Sequence, residues 1–131
     1  MIIKKIKIMG NSFKDEKQGR LHNGITAQSC IDLVDSAIDL PLFNSSNENK
    51  NAKQIGKIID CWYHYGKIYI DIDVDEKYSS DSKKHYLHGN SIAPALKIKK
   101  EENIEPVEFI YFYVIPAEES VYNSMTKVRV I

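Results

Sequence analysis

"QIGKIIDCWYHYGKIYIDIDVDEK", residues 54–77, decides how the rest of the chain is read. Ile68, Ile70, Ile72 and Val74 alternate with Lys67, Tyr69, Asp71 and Asp73. That two-residue period belongs to a strand with one core face and one wet face. A second apolar run, residues 55–63, precedes it across Tyr65-Gly66, a pair suited to a tight turn. The spacing predicts a β-hairpin over 55–75, with strands at 55–63 and 67–75.

Working outward, "IIKKIKIM" (2–9) reads as a strand with Ile6 and Ile8 on one face and Lys5 and Lys7 on the other. Residues 10–24 are polar and glycine-punctuated and read as a loop. A helix is predicted over 26–39, capped by Thr26, with Ala27, Cys30, Ile31, Val34 and Ile38 as its apolar stripe. "LPLF" (40–43) is a short apolar run, and 44–53 a mobile surface loop. "SSDSKK" (79–84) reads as a loop. "SIAPALKI" (91–98) is apolar, its Pro94 pointing to an edge, a bend or a helix start. "VEFIYFYVI" (107–115) is apolar on both faces, as a central strand covered on both sides must be. Val107, Phe109, Tyr111, Tyr113 and Ile115 fall on one face, Ile110, Phe112 and Val114 on the other. A terminal strand closes the chain at 125–131. The expected class is α+β: a β-rich sheet or small barrel of six to seven strands with one main helix, in a single domain over 1–131.

The chain has 131 residues, and its charge balances at zero, which gives no bulk attraction to nucleic acid or to an anionic membrane. Arg20 and Arg129 are its only arginines, against 16 lysines, so bidentate reading of phosphates and base edges is disfavoured. No apolar run approaches a membrane span. Cys30 and Cys61 read as free, buried thiols of a reducing compartment rather than a disulfide framework.

Four groups of residues invite a chemical reading. Ser91 follows His-Gly-Asn and is either a nucleophile or an ordinary strand serine; a nucleophile needs a base and an oxyanion hole nearby. Cys61, His64, His85 and His88 are zinc-ligand types. Residues 61 and 64, however, fall on opposite faces of a strand, so core and surface roles are expected and no metal. Asp71, Asp73 and Asp75, with Glu76, lack the glycine-bearing loop of a calcium site and read as a solvated face. Trp62, Tyr63, Tyr65, Tyr69, Tyr111, Phe112 and Tyr113 have no basic stripe between them, which points to packing rather than base stacking. No cofactor is expected.

"ITAQSCIDLVDSAIDLPLF", "QIGKIIDCWYHYGKIYIDIDV", "HGNSIAPALKI" and "VEFIYFYVIPAEES", in that order, resemble the prohead (capsid maturation) proteases of tailed phages, a family similar in fold to the herpesvirus assemblins. The likeness covers residues 25–120 by order and spacing. It implies that Ser91 stands at the nucleophile position and that a histidine should follow "LPLF". This chain has Asn44, Ser45 and Ser46 there, and no histidine between His22 and His64. A neutral amide cannot take up the serine proton.

The expectation is therefore a non-enzymatic structural virion protein: a capsid auxiliary or decoration protein on a protease-derived scaffold. It would be made in the bacterial host cytoplasm and bind the major capsid protein or other virion proteins in many symmetric copies. Trp62, Tyr63 and Tyr65 at the turn, with Ile3 and Lys5 on the first strand, are the expected contacts. The alternative is an active protease with Ser91 as nucleophile and His64 or His88 as base. A third reading is a small phage inhibitor or adaptor that binds a host protein.

Overall fold

Alternating isoleucines close the hairpin in the computed structural model, which describes residues 1–46, 50–78, 90–99, 105–116 and 126–131. Its strands are β5 (Gln54–His64) and β6 (Lys67–Val74). Ile68, Ile70, Ile72 and Val74 are buried, as their period requires. Tyr65 and Gly66 both take positive φ, 45° and 78°, as a two-residue turn matched to strand twist demands. Gly56 is required by close approach: a Cβ there would lie 2.3 Å from the Asp73 carbonyl oxygen on the neighbouring strand.

The other strands are β1 (Ile2–Gly10), β2 (Phe13–Asp15), β3 (Leu21–His22), β4 (Pro41–Phe43), β7 (Asn90–Ile98), β8 (Pro106–Pro116) and β9 (Lys127–Val130). All nine join in one mixed sheet, in the order β1-β6-β5-β4-β8-β7-β9-β2-β3. The sheet curls into a half-barrel, which brings β1 against β7 although the two are far apart in that order. Helix α1 (Ala27–Val34) packs against β8 and β5 and sends Cys30 and Leu33 into the main core.

The β-rich α+β class is as expected, but the described residues form nine strands rather than six or seven. β2 and β3 lie inside the predicted loop 10–24, and at three and two residues they are too short for alternation to reveal. The helix is also shorter than predicted. Thr26 caps it as expected, its hydroxyl accepting from the Ser29 amide at 3.1 Å. After Val34 the chain tightens into a 3-10 turn, Asp35–Ala37, and Ile38 is already extended. The buried stripe is Cys30, Leu33 and Ala37, and the predicted Ile31 and Ile38 are 46% and 41% exposed.

Bulges extend one face assignment and overturn another. β1 has irregularities between Ile3 and Ile6 and between Lys7 and Met9, so Ile3 and Met9 join the expected Ile6 and Ile8 on the core, while Lys5 and Lys7 are exposed as expected. β8 is covered on both faces as expected, yet Ile110 is passed over in its ladder with β7. Phe109 therefore joins Phe112 and Val114 in the main core, while Tyr111, Tyr113 and Ile115 form a second cluster with Ala93 and Ala95. Pro94 sits inside β7, where β9 pairs only from Ala95 onward; no ladder bond is lost to its missing N–H.

Beyond the short reach of β4, β8 takes its next partner from the 3-10 turn. The Phe109 amide donates to Ser36 Oγ at 2.9 Å, and Ser36 Oγ donates to the Leu33 carbonyl at 2.6 Å. Replacing Ser36 by Ala strands the Phe109 amide at the helix–sheet contact. We expect Ser36→Ala to lower stability by about 1–3 kcal/mol, the cost of a buried donor without an acceptor, read from a urea midpoint that falls at constant slope.

Candidate functional site

Register fixes the neighbourhood of Ser91. Ser91 pairs with Ile115 at one end of the sheet, and its face carries Ala93 and Ala95 of the second cluster. Across β8, Phe43 pairs with Tyr113, so Asn44 and Ser45 continue β4 toward the level of Ser91. Two strand spacings, about 10 Å, separate the segments. The slot that the protease resemblance assigns to a histidine thus lies at the serine's end of the sheet, and Asn44 fills it with a structural bond. Its Oδ1 accepts from the Lys53 amide at 2.8 Å, and its own amide donates to the Lys53 carbonyl at 2.9 Å. Those two bonds latch the ends of the β4–β5 connection.

His64 stands elsewhere. Gln54 pairs with Phe43, which places the start of β5 at the Ser91 end. His64 ends the strand ten residues later, about 30 Å along an extended chain. The fold does not bring it to Ser91. His22, the other described histidine, is buried and stacks on Phe13 at 5.1 Å. His85 and His88 lie outside the described residues.

Sequence reasoning missed a polar cluster on the second-cluster face. The Tyr113 hydroxyl donates to Glu16 Oε2, which Arg129 Nη2 approaches to 3.4 Å. The Arg129 guanidinium carbon lies 5.9 Å from the centre of the Tyr113 ring. Burial, reinforced by the Glu16 carboxylate, holds the Tyr113 phenol far above its ordinary range, so it stays a donor rather than becoming a base or nucleophile. The cluster fastens the segment after β2, and β9, to the central strand. Glu16 lay in the predicted loop; the available signal was Arg129 itself, a charge inside the apolar run "VRV" that needs a partner when buried.

The hairpin's outer face is a different kind of surface. Trp62 stacks on Tyr69 with ring centres 5.8 Å apart, and Lys67 lies on the same face. Tyr65 at the tip is 88% exposed and edge-on to His64 at 4.3 Å. A bulky residue with positive φ is a backbone outlier that Asn or Gly would relieve. Tyr63 points the other way, toward the core, its hydroxyl 3.4 Å from Asn11 Oδ1, and so does not share the exposed face with Trp62. Ile3 is half-buried against the core. Lys5 sits at a bulge with φ 59° and donates its amide to Asp71 Oδ1 at 2.8 Å.

Cys61 faces the core while His64 faces solvent, so the two do not share a metal. Burial, with Asp60 and then Asp35 adding to it, pushes the Cys61 thiol up to about 12; burial also raises Cys30. No helix among the described residues is long and apolar enough to cross a membrane. No protein-family model matches the chain, and neither do the curated proteins or the solved structures compared with it.

Two outcomes follow from this chemistry. The Cys61 thiol is neutral in the fold, so its contribution to stability is complete below its ordinary pKa of 9.0 and is lost as pH rises toward about 12. Alkaline melting curves should show this as a slope that Cys61→Ala reduces, and Ellman's reagent at about pH 8 should label neither thiol until the protein unfolds. Glu16→Ala should lower the unfolding free energy by about 1–3 kcal/mol, read from denaturant curves, because it removes the acceptor of a buried phenol and a counter-charge of a buried guanidinium.

Proposed function

We propose that this chain is a non-enzymatic docking protein, a structural virion protein of a tailed phage that attaches to the capsid as an auxiliary or decoration protein. The observation that carries the docking role is Tyr65: a large aromatic held in unfavourable backbone geometry and 88% exposed at the hairpin tip. Residues strained without any return in packing concentrate at functional sites. Beside it, Trp62 and Tyr69 supply a rigid aromatic platform of the kind that anchors protein interfaces. The non-enzymatic half rests on Asn44, whose side-chain oxygen is committed to the Lys53 amide in the slot where a base would stand. The capsid as partner follows from the protease resemblance, with the domain reused as a scaffold that binds the shell in many copies.

Replacing Tyr65 by Asn separates stability from attachment. Asn accepts positive φ, so Tyr65→Asn should raise the melting free energy by about 1 kcal/mol. The same change should remove the protein from sedimented particles, measured by mass spectrometry of the virion fraction. Undiminished attachment would refute the docking role. Ser91→Ala should leave particle maturation unchanged, and a fluorophosphonate should not label the folded wild-type protein. Labelling that the substitution abolishes would replace this reading with an active serine hydrolase.

A further inference from the structure

At the tip end of β1 and β6 lies an open cleft of about 270 Å³ that the docking reading leaves unused. Lys7, Lys67, Asn11, Ser12 and Thr126 line it, with Gly10 and Gly66 between them. Its floor is tight, since a Cβ on Gly10 would stand 3.0 Å from the Gly66 carbonyl oxygen. Among the described residues no Asp or Glu lines it, although the chain carries as many acids as bases. Neither lysine forms an ion pair and neither hydroxyl is engaged by its side chain among the described residues. The nearest acid in register, Asp71 two residues past Tyr69 on the same face, already accepts from the Lys5 amide.

Two lysines and two hydroxyl residues line the cleft, and the Asn11 side-chain oxygen beside them already accepts from the Tyr63 hydroxyl, so the cleft is rich in donors. We propose that the cleft receives a carboxylate from the partner protein, carried on a segment whose apolar neighbours lie over the Trp62–Tyr69 stack. This rests on the docking reading and specifies the partner's chemistry. Charge complementarity selects an acidic segment. Lys7, opposite Tyr69, and Lys67 share the face of that stack, so one bound segment reaches both, whereas a free phosphate uses the cations alone. Lysines act as point charges here, so binding weakens as salt rises.

Trp62 is the chain's only tryptophan, and its fluorescence reports on the platform directly. The experiment titrates the full chain with a peptide alternating Glu and Leu, with its Gln counterpart, and with inorganic phosphate. The Glu peptide should change Trp62 emission, with affinity reduced about tenfold in the Lys7→Gln/Lys67→Gln variant, the equivalent of one charge-assisted hydrogen bond. Equal binding of the Gln peptide, or an unaltered response in the double variant, overturns the inference. Phosphate that displaces the Glu peptide and binds more tightly also overturns it, in favour of a small-anion site. Particle attachment separates the two readings. If Tyr65→Asn is lost from particles while the lysine variant attaches like wild type, docking stands and the cleft inference falls. If both variants attach normally, both fall; if both are lost, the cleft inference is supported.

Discussion

Burial of β8 on both faces is the constraint from which the rest of the architecture follows. Phe109, Phe112 and Val114 need cover on one side, and Tyr111, Tyr113 and Ile115 on the other. A lone sheet covers neither. On the first side the curl of the sheet and α1 supply the cover, with Ser36 completing the backbone bonding where β4 stops. On the second side Ala93 and Ala95 make room for tyrosine rings, and the Glu16–Tyr113–Arg129 cluster ties the outer strands down over them. The bulge at Ile110 allocates the aromatics between the two sides. Without it Phe109 would leave the core that the helix needs.

The same arrangement sets Ser91 and the hairpin tip at opposite ends of the sheet. Serine, amide and hydroxyl groups meet at the Ser91 end of the sheet, where Asn44 holds a loop closed. The exposed Tyr65, the half-buried Trp62–Tyr69 stack, Lys7 and Lys67 gather at the opposite end, around the hairpin tip.

How legible this was in the sequence depended on element length and on bulges. The hairpin could be read because four apolar residues keep strict alternation and Tyr65-Gly66 marks its turn. β8 was recognisable as a two-faced central strand for the opposite reason, an apolar run without alternation from Phe109 to Ile115. β2 and β3 could not be read, because two or three residues carry no period. The face assignment of Phe109 failed at the Ile110 bulge, since one extra residue reverses every side chain beyond it. The helix stripe stopped short of Ile38 because the α-helix ends at Val34, which apolar spacing alone does not reveal. At the candidate sites, Tyr65 could be named from its place in the turn. The Glu16–Arg129 contact, and the meeting of Lys7 with Lys67, depend on strand neighbours that only the sheet order shows.

β1 ends the sheet order and pairs only with β6 among the described residues. Its two bulges and its Lys4, Lys5 and Lys7 side chains make that border a poor template for a further strand. That border therefore resists pairing with a further strand, through the same irregularity that interrupts the alternation of the first ten residues.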